Sequence, residues 1–318
     1  MRPFTFLLIL VAVHGASPLT AQHGAGEVQR SSGIIEIGGA VCPYLLEGEG
    51  VPCLVVGPAF FYSQFFSDEL KQHIQFVLVD FKNTWRADES VDVSSITMAD
   101  LVDEIDEVRE ALGFERFCVL GASVLGFWPL EYAKAYPDRI SHAIMIGTPP
   151  FWNFQEIEPI QDEFIANNAS KERRERWDQN WERVSKNTLE RLSPMDRSVY
   201  TYVQNAPLYW FDFTYDPFHH FAGRQSYEPM KEHVFDSLLA DYDPRDQFAA
   251  IETPVFLALG RHDYVLPFTL WDEARDLLPN LSYHLFERSG HFPMFEEQEL
   301  FDKTLVEWLG RTSQEPSE

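Results

Sequence analysis

Residues 116–136, RFCVLGASVLGFWPLEYAKAY, constrain the fold more than any other stretch, because they read as a strand, a sharp turn and a helix with one serine at the bend. Residues 117–120 are a short apolar run with a β-branched valine, fit for a buried parallel strand, and Gly121 breaks it. Past Ser123 the residues Leu125, Trp128, Leu130, Ala133 and Tyr136 recur at roughly helical spacing, which predicts a helix. A serine at such a turn projects its hydroxyl from the sheet edge, and the next N–H helps to bind an oxyanion. Ser123 is therefore a candidate nucleophile. The stretch departs from the pattern GxSxG, since Leu125 stands at the second glycine and Gly126 follows one residue later. A serine capping a helix N-terminus would fit the same residues.

The rest of the chain is large enough to build a sheet around that turn. Its 318 residues, 45% hydrophobic and 14% aromatic, suffice for one large α/β domain or two small ones. Lys and Arg total 25 against 50 Asp and Glu, a formal charge of -25, so the surface repels nucleic acid and anionic lipid. The N-terminus has Arg2, an apolar run over 4–13 and then small residues, the layout of a secretory signal peptide over 1–21, with cleavage near Gly15 or after Ala21. That run is too short to span a membrane, so no stable membrane insertion is expected after its removal, and the expected location is periplasmic or extracellular. Cys42, Cys53 and Cys118 imply no disulfide framework; Cys42 and Cys53 could pair, but buried apolar filler is their commoner state. No CxxC or cysteine–histidine cluster suggests a metal, and no cofactor is expected.

In chain order, 22–32 is a polar tail, and 34–37 and 41–46 read as strands, the second at a sheet edge because Pro43 cannot donate to a ladder. The run 53–56 is a short strand entering Gly57, Pro58 and Ala59. Since proline has no N–H, an oxyanion donor from this loop has to be Ala59 or Phe60. Residues 75–80 form the next strand, 100–112 an amphipathic helix, and 143–146 a strand ending at Gly147. Strand and helix alternating in this way predict a mostly parallel, doubly wound α/β sheet, with ligands beyond the carboxyl ends of the strands. The core is thus expected over 22–149 and 243–312, followed by a polar tail at 313–318.

Over 150–242 the rhythm breaks, and an inserted helical cap is expected there. Its charged run KERRERWDQNWERV reads as a solvated helix face. The aromatic run 199–227, which embeds His219 and His220, reads chiefly as the core of the cap, with Trp210, Phe213, Tyr215 and Phe218 as candidates for the pocket lining. Strands at 254–259 and 282–286 then precede GRHDYVLP and ERSGHFPMFEE, so Asp263 and His291 each follow a strand end; His262 reads as structural. A helix over 301–309 closes the fold. Nucleophile, acid and histidine in the order Ser123, Asp263, His291 make a catalytic set, although each alone fits a cap, a turn or a surface residue.

GASVLGFWPLEYAKAYPDRISHAIMIGTPP, FLALGRHDYVLP and FERSGHFPMFEEQELFDKTLVEWL resemble the α/β-hydrolase-fold enzymes, and within them the proline-iminopeptidase-like peptidases and esterases, over about residues 34–310. The resemblance implies Ser123 as nucleophile, Asp263 as acid and His291 as base, with the Val124 and Ala59 N–H groups as oxyanion donors. It further implies a small ester or amide as substrate, cleaved through an acyl-enzyme. The chain lacks HGGPG at 57–61 and reads DFKNTWRADES where the family has DxRGxGxS, which bears on aminopeptidase specificity. Capture of a substrate ammonium requires buried carboxylates, for which Glu156, Glu158, Asp212, Asp216 and Glu228 are candidates. A non-catalytic ligand-binding protein and acyl transfer or carbon–carbon cleavage remain open on the same fold. A dehalogenase or epoxide hydrolase would need a carboxylate where Ser123 stands. Oligomeric state is not legible.

Overall fold

The computed structural model of the chain describes residues 28–81, 92–183, 189–221 and 228–312. The expected signal peptide and polar tail lie outside these residues, as do most of the DFKNTWRADES segment and the side chain of Glu228.

Eight strands form one sheet: β1 (Arg30–Ile37), β2 (Ala40–Glu47), β3 (Val51–Val56), β4 (Ile74–Val79), β5 (Phe117–Ala122), β6 (Ile140–Ile146), β7 (Val255–Gly260) and β8 (Leu281–Phe286). Their spatial order is β1-β2-β4-β3-β5-β6-β7-β8. The first two pairings, β1 with β2 and β2 with β4, are antiparallel, and all the others are parallel. The parallel strands are near-continuous apolar runs because helices cover both of their faces, and every residue of β5 and β7 is buried. The doubly wound α/β sheet expected from the rhythm of the chain is thus the one observed.

One expectation about the sheet is corrected. β2 lies between β1 and β4 and is not an edge strand. Pro43 is tolerated there because it pairs with Ile34 of β1 and turns its carbonyl toward Asp80, which donates its N–H to it at 3.3 Å, just past the last β2–β4 pair Tyr44 and Val79. The missing N–H faces the same side as that carbonyl, where the ladder has already ended.

Helix Met98–Ala111 begins with a capping box between Thr97 and Asp100 and buries Leu101, Val102, Ile105 and Val108. Together with the elbow helix Phe127–Ala135 it packs into the core on one face of the sheet. The C-terminal helix Gln298–Thr312 packs Phe301, Leu305, Trp308 and Leu309 into the core on the other. All three cysteines are free and buried; Cys53 stands in register beside Cys118, and β4 separates Cys42's strand from it.

Between β6 and β7 the chain leaves the sheet for helices Phe154–Asn168, Lys171–Arg183 and Pro194–Gln204 and a series of shorter helical turns. A bridge between Trp152 and Tyr242 ties the two ends of this excursion together, the Trp152 N–H donating to the Tyr242 carbonyl at 2.7 Å. Among the described residues no helix is long and apolar enough to cross a membrane.

Candidate active site

β5 ends at Ala122 in extended conformation, and the next residue, Ser123, takes φ 57° before the chain enters a helical turn. A non-glycine residue in this left-handed region stores backbone strain, which persists only where the surroundings impose it. Here they impose a hairpin-tight bend. A Cβ on Gly121 would come 2.1 Å from the Leu125 carbonyl, and one on Gly126 would come 1.9 Å from Thr148 Oγ1 just past β6. The close approach to the neighbouring strand therefore falls on Gly126, one residue later than in GxSxG. Leu125 is left free to lay its side chain against the core. Ser123 itself is partly exposed between the buried Ala122 and Val124.

Asp263 and His291 follow β7 and β8, and the fold brings them together. His291 Nδ1 lies 2.6 Å from Asp263 Oδ2, with both residues buried. The other oxygen, Oδ1, accepts the N–H groups of Val265 and Leu266 at 2.9 Å each, so the carboxylate is held at both ends. With Nδ1 donating to a carboxylate, a neutral imidazole presents its lone pair at Nε2. The ring leans on the end of β6, where a Cβ on Gly147 would come 3.1 Å from Nδ1 and 3.2 Å from Cε1. β6 is also the strand next to β5 and Ser123. Among the described residues no hydrogen bond joins Ser123 Oγ to this ring.

The two oxyanion candidates before β4 separate. The Ala59 N–H, expected as an oxyanion donor, here donates to Asp80 Oδ1 at 3.1 Å. Phe60 is the next residue in the same helical turn, Ala59–Tyr62, whose first N–H groups have no carbonyl four residues back. Val124 holds the equivalent place in the turn after Ser123.

The aromatic candidates scatter. Trp210 is buried against Phe292, Phe295 and Tyr215. Trp210 and Tyr215 also line a cavity of about 620 Å³ beside Arg288 and Glu296, whose walls include none of Ser123, Asp263 and His291. Phe213 lies beneath the Arg173 guanidinium, and Phe218 is 44% exposed. His220 accepts or donates at 2.5 Å with the Tyr215 hydroxyl, and burial, with the neighbouring His219 charge, pushes it down to about 4. His262 packs its ring edge-on against Phe211. Among the described residues no cluster of three or more His, Cys, Asp or Glu is arranged to hold a metal ion.

A strained serine after β5 and an acid–histidine pair after β7 and β8 place this chain among known proteins. The family model described as alpha/beta hydrolase fold matches residues 56–298. The chain belongs to the α/β-hydrolase fold family. It is 30% identical over 288 residues to the AB hydrolase superfamily protein YclE of Bacillus subtilis (strain 168), covering 87% of this chain and 98% of that one. An alpha/beta fold family hydrolase from Bacillus anthracis str. Sterne superposes with a TM-score of 0.65 at 20% identity, over 90% of this chain and all of the other. The proline iminopeptidase of Mycobacterium smegmatis superposes with a TM-score of 0.61 at 17% identity, over 89% of this chain and 98% of its own; both likenesses are of fold.

Within this α/β-hydrolase three residues near the site escaped the sequence reading. Asp80 accepts the Ala59 N–H. Arg173, in the charged run expected to be solvated, is only 4% exposed; it donates to the carbonyls of Pro207 at 2.5 Å, Trp210 at 2.7 Å and Phe211 at 2.8 Å. Its signal was available, since Arg173, Trp177 and Asn180 share one helical face and all three are buried or half-buried. Glu296 accepts the N–H of Gly290 at 2.7 Å and that of Phe211 at 2.6 Å.

Proposed function

We propose that this α/β-hydrolase is an exported serine hydrolase, acting on small or medium esters. The observation that carries the reading is the buried Asp263–His291 hydrogen bond at 2.6 Å, which leaves Nε2 as the free base on the same sheet edge as Ser123. Nε2 takes the Ser123 proton as Oγ attacks the carbonyl carbon, and the Asp263 carboxylate stabilises the imidazolium that results. The oxyanion of the tetrahedral intermediate accepts the Val124 N–H and, since Ala59 is engaged by Asp80, the Phe60 N–H. The imidazolium returns its proton to the leaving alcohol, and water activated by the same ring then releases the acid from the acyl-enzyme. The serine-to-histidine hydrogen bond is one that tightens as substrate binds. The helical segment over 150–242 acts as the cap, and residues 1–21 as the export signal.

Of the five candidate carboxylates for an aminopeptidase, three are engaged with partners, Glu158 is open to solvent, and the Glu228 side chain lies outside the described residues. Glu156 pairs with Arg245 at 3.3 Å, Asp212 accepts the N–H and hydroxyl of Thr214, Asp216 accepts the Phe218 N–H, and Glu158 is exposed. A substrate ammonium taken out of water without a dedicated carboxylate is strongly disfavoured. The expected result is that the purified protein turns over p-nitrophenyl butyrate with a higher kcat/KM than prolyl-β-naphthylamide. The reverse ranking, with prolyl activity lost on neutralising one of these acids, would replace the esterase reading with an iminopeptidase one.

A further inference from the structure

The loop that carries His291 is held from two sides. On the core side, Glu297 Oε2 accepts the Arg288 N–H at 2.7 Å and the Ser289 hydroxyl at 2.9 Å. On the side of the inserted segment, the His291 N–H donates to the Tyr209 carbonyl at 2.6 Å, and the Tyr209 ring meets the imidazole edge-on with centroids 5.4 Å apart. Tyr209 belongs to a strap, residues 207–211, whose carbonyls at 207, 210 and 211 are gripped by Arg173. Glu296 spans both sides through hydrogen bonds. Its Oε2 takes the N–H of Gly290, the residue before His291, and its Oε1 takes the N–H of Phe211 in the strap, 85 residues away in sequence.

We propose that Glu296 is a positioning residue for the reaction, clamping the strap to the histidine loop so that the imidazole keeps its direction toward Ser123. The proposal rests on the serine-hydrolase reading above. A carboxylate closing the short helix Pro293–Glu296 back onto the loop would need only the Gly290 contact. The Phe211 contact adds nothing to that helix, but it does join the strap whose Tyr209 carbonyl holds the His291 amide. Because each oxygen serves a different N–H, both must be acceptors, and only a carboxylate meets that condition. An error of about 1 Å in the placement of a catalytic group can cost on the order of 100-fold in rate.

The clamp also titrates. Burial pushes the Glu296 carboxyl up to about 8; the Asp263 charge acts in the same direction, while the Gly290 and Phe211 amides and the Arg173 guanidinium oppose both. Asp212, Tyr215, Arg288, Glu297 and Glu299 are the titratable groups that line the adjoining cavity with it. Below that pH one oxygen becomes a hydroxyl and a poor acceptor, and above it both N–H groups are satisfied. Ionisation also adds negative charge near the imidazolium that forms in the transition state. The pH profile of kcat should therefore rise through about 8 in the native protein.

The test compares the native protein, Glu296→Gln and Ser123→Ala on p-nitrophenyl butyrate across the pH range, with melting midpoints measured alongside. In Glu296→Gln kcat should fall on the order of 10-fold to 100-fold with KM little changed, and the rise near pH 8 should vanish. A native kcat and pH profile in Glu296→Gln, even with a lowered melting midpoint, would reduce Glu296 to a structural cap and overturn the proposal. Should Glu296→Gln fail to fold, Phe211→Pro deletes the N–H at the strap end of the clamp; it should reproduce the kcat loss, and native kcat there would equally overturn it. Full activity in Ser123→Ala would instead sink the serine-hydrolase reading itself.

Discussion

Replacing Ser123 with alanine is expected to lower kcat for p-nitrophenyl butyrate by a factor on the order of 10^5 to 10^6, the scale seen when the nucleophile of a serine triad is removed. The activity that remains should still exceed the uncatalysed rate by on the order of 1000-fold, because the proposed oxyanion donors survive. Folding should be unaffected. Alanine carries the same backbone cost as serine at φ 57°, and the packing of Gly121 against Leu125 and of Gly126 against Thr148 does not involve the hydroxyl. The informative readout is thus a collapse of kcat at an unchanged melting midpoint. A variant that keeps its activity would place the nucleophile elsewhere.

The second large effect is expected at Asp263. In Asp263→Asn the amide oxygen is retained by the N–H groups of Val265 and Leu266, which now bind Oδ1 at 2.9 Å each. That leaves the amide NH2 facing His291 Nδ1, where the carboxylate Oδ2 stands at 2.6 Å. A donor there forces the ring into the tautomer protonated at Nε2, which cannot accept the Ser123 proton. Loss of kcat should be on the order of 10^4-fold at neutral pH, with KM nearly constant. A loss below about tenfold would mean that the acid neither sets the tautomer nor stabilises the imidazolium.

The turn at Ser123, the alternation of strand and helix, and the order of Ser123, Asp263 and His291 were legible because each rests on a local signal: an apolar run, a breaker, then a polar residue at a strand end. The misreadings share a different cause. Pro43 is harmless inside the sheet only because the β2–β4 ladder ends at Tyr44 and Val79, a matter of register between strands far apart in sequence. The Ala59 N–H meets Asp80 across 21 residues, and nothing in the Gly57-Pro58-Ala59 loop reports that partner. The charge of the run hides Arg173, and only its helical phase, shared with Trp177 and Asn180, marks it as buried. Glu296 was hidden within an acidic chain of 50 Asp and Glu, where one carboxylate with two backbone partners looks like the rest. Contacts that close over long sequence separations decide these positions, and local periodicity carries no record of them.

The central claim is that Ser123 is an activated nucleophile, and covalent capture tests it most directly. The purified protein is treated with a fluorophosphonate probe, digested, and the modified residue located by mass spectrometry of its peptides. The account predicts one adduct, on Ser123, formed in the native protein and suppressed in Asp263→Asn. An unlabelled Ser123 in folded protein, or an adduct on another residue with Ser123 untouched, would contradict it.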